Sequence, residues 1–380
     1  MELIDRWKKT LDTLKSQDRY RSIYVGQGVD FTSNDYLGYG QGRCPIFLEE
    51  EQAHLPVTGM GSRLLRGHHP IWEEVEARLA RWHGAEAALM MTSGFTANEG
   101  LLTTVIEPGD WVAADERCHA SIYEALRICR PRKYIFRHND MNHLEEGLKK
   151  ESATRTESRE MFIVTESIFS MDGDLAPLQD IVDLAERYGA YVIVDEAHST
   201  GCYGANGSGL VDALRLRSHV LATVHTGGKA LGLCGAYICG SHILYEYLIN
   251  RCRHLIFTTA LPPLLGSYWL KGISRVAEDF LGRDLLFQNV RLFRSLMRES
   301  GWDIRGDAYI VPVVVGEDSK AVRLARHLQH RGWDVRAIRP PSVPEYTARL
   351  RISLHADHTP EYLEELAADL KCAFTQYHEY

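Results

Sequence analysis

The sequence predicts an α/β protein with a large, doubly wound, mostly parallel sheet and a smaller α+β domain toward its C-terminus. Three observations predict this fold class. Short apolar runs recur between residues 85 and 228, helical patterns separate them, and the pattern changes beyond about residue 270. Continuous apolar runs are typical of strands covered on both faces, and strand–helix alternation favours parallel neighbours.

The chain has 380 residues, which is enough for two or three domains. Its first twenty residues combine apolar positions at helical spacing with many charges, so we expect a surface helix and neither a signal peptide nor a membrane span. We expect an N-terminal helical or extended segment at 1–45, a large α/β domain at 46–270 and a small α+β domain at 271–380.

The strands of the large domain are expected in six segments: AEAALMMTSG, DWVAADERCH, KYIFRHND, EMFIVTESIFS, AYVIVDEAH and HVLATVHTGG. Helical patterns such as FTANEGLLTTVI and LQDIVDLAERYG lie between them. The glycine at 189 is suited to the end of the second helix. Each buried strand is therefore followed by a polar or glycine-bearing loop.

The small domain begins with a long helical stretch to about residue 300. It continues with the strand-like segments AYIVPVVVGED, WDVRAIRPPSVP and ARLRISLHA, a helix at about 319–331 and a last helix at 360–376. This mixture predicts an α+β unit appended to the large domain.

Composition narrows the class of partner. The formal net charge is −8 and the chain has no basic tract, which argues against nucleic acid and favours small molecules. The eight cysteines show no paired short spacing, so we expect a reducing compartment, the cytoplasm. No metal-ligand motif is present, and we expect no metal.

Ligands of open parallel sheets bind beyond the carboxyl ends of the strands. The loops at those ends contain polar residues that could form one site: Ser93 and Gly94, His119, Ser170, Asp195 with His198, and Thr226 with Lys229. Each has an ordinary alternative. The glycine turn could be a simple strand–helix turn, and the aspartate could form a salt bridge. The histidines could be polar loop residues, and the lysine could be a solvated cation.

Taken together, these residues indicate pyridoxal phosphate. The lysine would hold the cofactor as a Schiff base, and the aspartate would keep the pyridine nitrogen protonated so that the ring can accept electrons. Burial and a cationic neighbour are expected to lower the pKa of the lysine. The helix after Ser93 would offer its N-terminus to the phosphate. Dinucleotide, P-loop, serine-hydrolase and zinc motifs are absent from the sequence.

The chain resembles the α-oxoamine synthases, fold-type I pyridoxal-phosphate enzymes of aspartate-aminotransferase-like architecture that condense an amino acid with an acyl-CoA. The resemblance covers nearly the whole chain through FTSNDYLG, GMGSRLLRGHH, MTSGFTANEG, DERCHASIYEAL, TESIFSMDGDLAPL, VDEAHSTGCYG, HTGGKALG, HLIFTTALPP and ARLRIS. It implies a homodimer in which HLIFTTALPP reaches the neighbouring subunit's phosphate.

The resemblance also implies individual roles. Lys229 would bind the cofactor and move the substrate's Cα proton, and His119 would stack on the ring. The other implied cofactor contacts are Asp195 at the ring nitrogen, His198 at the ring hydroxyl, Ser170 near the cofactor, and Ser93, Gly94, Phe95, Thr226 and Thr258 or Thr259 near the phosphate.

Substrate residues follow from the same resemblance. Arg351 would bind the amino acid's carboxylate, and we expect Arg349 to face away from it. Asn34 would lie near the substrate, and Arg21 and Arg19 either contact the distal carboxylate of an acyl chain or lie on the surface.

Several functions remain open. The segment IRPPSVPEYTARLRISLHA is most similar to members that join L-alanine to a pimeloyl thioester, carried by CoA or by a carrier protein. Members that use glycine with acetyl-CoA or serine with palmitoyl-CoA are alternatives. A non-catalytic scaffold is an alternative from another class, although it would be expected to lack the lysine. Two departures bear on the acyl substrate: Gly227, expected to loosen the lysine loop, and His68 with His69.

Overall fold

The computed structural model describes residues 2–154, 159–302 and 304–378, without the side chains of residues 53 and 374–378. By internal contacts the chain divides into two compact units. The large unit comprises Leu37–Phe169 and Leu175–Arg283, and the small unit comprises the residues up to Tyr36, Ser170–Asp174 and the residues from Asp284. These limits differ from the boundaries at 45 and 270 expected from the sequence, because 170–174 and the N-terminal residues group with the C-terminal part of the chain.

The elements are numbered along the chain. The strands are β1 (Val29–Asp30), β2 (Ala87–Met91), β3 (Trp111–Asp115), β4 (Arg132–Phe136), β5 (Met161–Glu166), β6 (Tyr191–Asp195), β7 (Ala222–Thr226), β8 (Ala236–Gly240), β9 (Ile310–Gly316), β10 (Trp333–Asp334), β11 (Arg336–Ile338) and β12 (Ala348–Ser353).

The helices are α1 (Leu3–Ser16), α2 (Glu50–Ala53), α3 (Pro70–Trp82), α4 (Gly94–Val105), α5 (Ala120–Cys129), α6 (Met141–Ser152), α7 (Leu178–Tyr188), α8 (Leu210–Ala213), α9 (His242–Arg251), α10 (Arg253–Ile256), α11 (Pro263–Glu278), α12 (Phe280–Glu299), α13 (Asp318–His330) and α14 (Pro360–His378). In the described part of the chain, none of them has the length and apolar character needed to cross a membrane.

The large unit contains a seven-stranded sheet in the order β2-β8-β7-β6-β5-β3-β4. Strands β3 to β7 pair in parallel, and only β8 runs antiparallel to both of its neighbours. The mostly parallel sheet predicted from the sequence is therefore confirmed. All strands except β8 end at the same edge of the sheet, where the loops with the candidate site residues begin.

Two strands of this sheet differ from the expectation. Strand β8 is not among the expected strands, because it is only five residues long and lies directly before a helix. Strand β4 was expected to be buried, but most of its residues are exposed or half-buried because it lies at the edge of the sheet. Gly189 ends α7 in the left-handed conformation, as predicted.

The core of the large unit explains the apolar runs. Val112, Val164 and Ile193 come from neighbouring strands and are almost completely buried. Leu101 of α4 and Ile122 of α5 pack in the same cluster. Burial of each such side chain contributes roughly 1.5–3 kcal/mol, so the sheet provides a rigid base for the loops at its edge.

The small unit contains a three-stranded antiparallel sheet in the order β11-β12-β9 and a short parallel pair of β1 with β10. Every residue of the central strand β12 is buried. The helical stretch expected to end near residue 300 is two helices, α11 and α12, and α11 belongs to the large unit. Helix α13 packs against all three strands of the small sheet.

Candidate active site

Lys229 and His198 form the central contact of the candidate site. Strand β7 ends at Thr226, and Lys229 follows in the next turn with its side chain half-buried. Its Nζ lies 2.7 Å from Nε2 of His198, which is 5% exposed. The amine that the sequence singled out is thus held beside a buried imidazole at the carboxyl end of the sheet.

Asp195 is the last residue of the neighbouring strand β6, which pairs in parallel with β7. Its carboxylate is 6% exposed and accepts hydrogen bonds from Nδ2 of Asn98 at 2.6 Å and from the backbone N–H of Ala197 at 2.8 Å. Both donors are neutral. A buried carboxylate held in this way is positioned to bind a cationic group.

A hydrogen-bonded chain connects Asp195 to His119. The amide of Asn98 also donates to Oγ of Ser121 at 3.0 Å, and this hydroxyl lies 2.8 Å from Nδ1 of His119. The backbone N–H of Ser121 donates to the same ring nitrogen at 3.2 Å. Because Nδ1 accepts hydrogen bonds, the neutral tautomer carries its proton on Nε2.

Partial burial lowers the pKa of His119 below its usual range, and the charge of Lys229 lowers it further while Asp195 opposes the shift. The imidazole is therefore neutral near pH 7, which suits stacking on an aromatic ring. Asn98 and Ser121 were not predicted from the sequence, since both lie inside helices and only their contacts with Asp195 and His119 identify them.

The start of α4 forms a candidate phosphate cradle. Oγ of Ser93 accepts from the N–H of Thr96 at 3.2 Å and caps the helix, whereas the first turn leaves the N–H groups of Gly94 and Phe95 available. A Cβ added at Gly94 would lie 3.6 Å from Cβ of Thr226. The helix N-terminus and the Thr226 hydroxyl are therefore close enough to bind one anion.

Glu166 is a further residue of this edge that sequence reasoning missed. It ends β5 and pairs directly with Asp195 in the β5–β6 register. Its side chain is 2% exposed, and its Oε1 has no hydrogen-bond partner among the described residues. Burial, and then the charge of Asp195, raise the pKa of Glu166 well above its usual range. These effects favour the protonated form of the group.

Within the small unit, the structure brings Arg351, Ser170 and Asn34 together. The Arg351 guanidinium donates from Nε to the Ser170 carbonyl at 2.6 Å and from Nη2 to Oδ1 of Asn34 at 2.8 Å. Its Nη1 donates to Oγ of Ser353 at 2.8 Å. These acceptors are neutral although the arginine is 7% exposed, so the buried charge favours an anionic ligand.

Arg349 provides a contrast and a correction. Its guanidinium forms an ion pair with the buried carboxylate of Asp172. The expectation that it faces away from Arg351 is wrong, because residues two apart on a strand share a face. Both arginines accordingly contact the segment Ser170–Asp172. Only Arg349 has its charge neutralised there.

The remaining residues that the sequence singled out have different surroundings and degrees of exposure. Arg19 forms ion pairs with Asp318 and Glu345, which leaves its guanidinium occupied. Arg21 is exposed, Thr258 is half-buried and Thr259 is exposed. His69 caps α3 through a hydrogen bond from the N–H of Ile71 at 3.2 Å.

Gly227 has a packing role that the sequence did not indicate. A Cβ at this position would lie 2.6 Å from the ring of Trp269, which donates from Nε1 to the Cys234 carbonyl at 2.8 Å. The expectation that Gly227 loosens the lysine loop is wrong, since the glycine allows a fully buried tryptophan to support that loop.

Comparisons with known proteins agree with this geometry. A family model described as aminotransferase class I and II matches residues 27–370. The chain belongs to this family, and within it to the α-oxoamine synthases that its motifs resemble. A relative named 8-amino-7-oxononanoate synthase from Chlorobaculum parvum is 40% identical over 95% of this chain and 96% of its own length.

Two solved structures are similar over most of the chain. A serine palmitoyltransferase variant from S. paucimobilis with a bound PLP–myriocin aldimine has a TM-score of 0.88 and 25% identity, with full coverage of both chains. An 8-amino-7-oxononanoate synthase from Francisella tularensis has a TM-score of 0.77 and 25% identity over 93% of this chain and 99% of that one. The predicted fold-type I architecture is confirmed.

Proposed function

We propose that this protein is a pyridoxal-phosphate-dependent C-acyltransferase that condenses L-alanine with a pimeloyl thioester to form 8-amino-7-oxononanoate in biotin biosynthesis. The observation that carries the reaction class is the placement of Lys229 beside His198, one strand from buried Asp195. The similarity to the Chlorobaculum parvum relative over nearly the whole chain supports the choice of substrates.

The donor set of the large unit is suited to pyridoxal phosphate. Lys229 would hold it covalently through Nζ, and Asp195 would bind its ring nitrogen. His198 would bind the ring hydroxyl and His119 would cover one face. The phosphate would bind at the N-terminus of α4 and at Thr226, where the available N–H groups and hydroxyl converge. When bound, the cofactor supplies an electron sink for negative charge that develops at the substrate's Cα.

The protein's residues supply the proton transfers and the orientation. Displaced by the incoming amino acid, the amine of Lys229 is the base that takes the Cα proton and later returns one. Asn98 and the Ala197 N–H donate to the Asp195 carboxylate and hold it in place, and burial raises the pKa of neighbouring Glu166. His119 is fixed by Ser121 and limits the substrate to one orientation.

We assign substrate carboxylate binding to Arg351 and not to Arg349. The Arg349 charge is already neutralised by Asp172, whereas the Arg351 contacts described above are neutral. A forked guanidinium can bind a carboxylate through two parallel hydrogen bonds. Asn34 and Ser170 would hold this guanidinium in place. Loss of the substrate's original carboxylate as carbon dioxide completes the condensation.

A second candidate is a serine palmitoyltransferase-like condensation. It is favoured by the similarity to the S. paucimobilis structure, which covers both chains completely. It would use the same cofactor residues with serine and a long-chain acyl-CoA. A non-catalytic scaffold has less support, because Lys229 and the groups around it are all present.

We also propose a cytoplasmic homodimer. Large apolar side chains of the large unit are exposed: Phe47 (77%), Val57 (72%), Leu65 (82%) and Phe257 (72%). A second copy would cover such a surface, and Thr258 or Thr259 would then reach the neighbouring subunit's phosphate. The cytoplasmic assignment is supported by the absence of disulfides among the described cysteines.

The test of the proposed function is release of free thiol from matched pairs of substrates. Alanine, glycine and serine are each combined with pimeloyl-, acetyl- and palmitoyl-CoA, and with a pimeloyl carrier protein. We expect turnover to be highest with alanine and a pimeloyl thioester and to be lost in Lys229→Ala. Faster turnover of serine with palmitoyl-CoA would favour the second candidate, and no turnover with any pair would favour the scaffold.

A further inference from the structure

A cleft in the small unit is lined by four arginines. Its volume is about 410 Å³, within the usual range for small-molecule sites. Its walls come from the N-terminal segment 20–24, helix α13 and strand β11 with the residues after it. The lining arginines are Arg21, Arg326, Arg336 and Arg339, and no acidic residue is among the described residues that line it.

The positive charge of this cleft is poorly compensated. Arg336 forms an ion pair with Asp334 at 2.7 Å, yet its Nη1 is buried and has no hydrogen-bond partner in the described part of the chain. Arg339 donates to the backbone carbonyl of Asp18, a neutral group. Arg21 and Arg326 form no ion pair with any described residue. Arg19, which lies outside the cleft, has two carboxylate partners.

The surroundings of these arginines also oppose their charges. Burial lowers the pKa of Arg336. Burial, and then the charge of Arg21, lower the pKa of Arg339, although the charges of Asp318 and Asp18 oppose that shift. Both groups stay protonated because a guanidinium is too basic to lose its proton in a protein. The unfavourable interaction therefore remains in the folded protein, and an anion bound in the cleft would relieve it.

The cleft is also arranged to bind oxygen atoms. The Arg336 guanidinium stacks on the Tyr24 ring at 3.7 Å, which fixes its plane. Tyr20 and Ser22 add hydroxyl groups to the lining. One forked guanidinium is enough for a carboxylate, as the pair of Arg349 with Asp172 shows. Four guanidiniums exceed what one carboxylate needs, and they match the several oxygens and multiple charge of a phosphate ester.

We propose that the cleft between segment 20–24, α13 and β11 is a binding site for an organic phosphate. Arg21, Arg326, Arg336 and Arg339 supply the charge, and the ligand's phosphate oxygens bind between them. The ligand could be the nucleotide end of coenzyme A or a free phosphorylated metabolite, and the two share this chemistry. The charge of the cleft does not depend on the proposed reaction.

The test is calorimetric titration of the protein loaded with pyridoxal phosphate, so that the cofactor's phosphate site is already filled. The ligands are pyrophosphate, coenzyme A and heptanedioate. Arg326→Glu is the variant, because Arg326 is exposed on α13 and its replacement leaves the core intact. Arg323→Glu is the control, because Arg323 is also exposed on α13 but does not line the cleft.

We expect pyrophosphate to bind and its affinity to fall about tenfold or more in Arg326→Glu, while Arg323→Glu binds like the natural protein. If coenzyme A binds more tightly than pyrophosphate and also loses affinity in Arg326→Glu, the nucleotide end is identified as the ligand. Binding of pyrophosphate alone identifies a free phosphate. The proposal is overturned if neither phosphate ligand binds, if the two variants lose affinity equally, or if heptanedioate binds more tightly than both. The visible spectrum of Arg326→Glu should be unchanged, which separates this result from the proposed reaction.

Discussion

At the scale of single residues, the pair of Glu166 and Asp195 determines the electrostatics of the candidate site. Two adjacent parallel strands end in carboxyl groups that are both almost completely buried. Two ionised carboxylates so close together would repel each other, so one of them holds a proton. Burial, and then the charge of Asp195, raise the pKa of Glu166 and favour its protonated form, whereas the Asp195 carboxylate accepts hydrogen bonds from Asn98 and the Ala197 N–H.

Glu166→Gln is therefore expected to change the pH dependence of stability. The folded natural protein keeps a proton on Glu166 that the unfolded chain releases above about pH 4.5. Its stability accordingly falls as pH rises from there toward the raised pKa, by about 1.4 kcal/mol per pH unit. The amide has no such proton, so the advantage of the variant in free energy of unfolding should grow as pH rises above about 5.

Denaturant unfolding at each pH measures this difference. Glu246→Gln is the control, because Glu246 is exposed on α9 and should give a difference that does not change with pH. The assignment of a neutral Glu166 would be wrong if its variant behaved like the control.

Gly227 and Gly228 allow a second test at the residue scale. Gly227→Ala places a Cβ against the Trp269 ring and should lower the free energy of unfolding by about 1–3 kcal/mol. Gly228→Ala is the matched control, since the atoms nearest to its added Cβ are 3.8 Å and 3.9 Å away. Thermal unfolding of both variants measures the difference, and equal melting temperatures would contradict the packing role of Gly227.

The sequence predicts some residues of this site and not others. Lys229, Asp195, His198 and His119 follow strand ends or match family motifs, and each could be singled out from the sequence. Glu166, Asn98 and Ser121 could not, because their importance comes from strand register and from contacts across the sheet edge. Register is a property of the folded sheet and leaves no motif in the chain.

At the scale of secondary-structure elements, the N-terminus of α4 is the part of the site that the backbone itself provides. Strand β2 leads through Ser93 into this helix, whose first N–H groups lie next to Thr226. An anion at this position interacts favourably with the helix dipole. The cap that fixes the first turn should therefore affect both stability and cofactor binding.

Ser93→Ala is expected to cost about 1 kcal/mol of stability and to weaken pyridoxal phosphate binding several-fold. Ser241→Ala is the control, because Ser241 caps α9 with the same 3.2 Å hydrogen bond but lies outside the candidate site. Spectral titration of the apoprotein measures the dissociation constants. An equal effect of both variants on binding would argue against a phosphate site at α4.

The elements themselves are predicted well where apolar runs are continuous and less well elsewhere. The runs of β5, β6 and β7 indicate buried parallel strands directly. Strand β8 pairs antiparallel between β2 and β7. It is five residues long, and only Ser241, the cap of α9, separates it from that helix. Its place in the sheet depends on pairing between distant segments.

At the scale of the whole molecule, the proposed homodimer predicts the mass of the protein in solution. Several large apolar side chains are exposed on the large unit, and the proposed second copy would cover them. Leu65→Asp places a charge on this surface and should shift the mass measured by light scattering from dimer toward monomer. Ile243→Asp is the control, because Ile243 is 76% exposed on α9 and is not among the side chains proposed for the interface. A natural protein that is monomeric would contradict the proposed homodimer.

The central claim is that the amine of Lys229 binds pyridoxal phosphate. The most direct measurement is reduction of the cofactor-loaded protein with borohydride, followed by mass spectrometry of its peptides. The account predicts a pyridoxyl group on Lys229 and its absence from Lys229→Ala. A pyridoxyl group on another lysine, or on none, would contradict it.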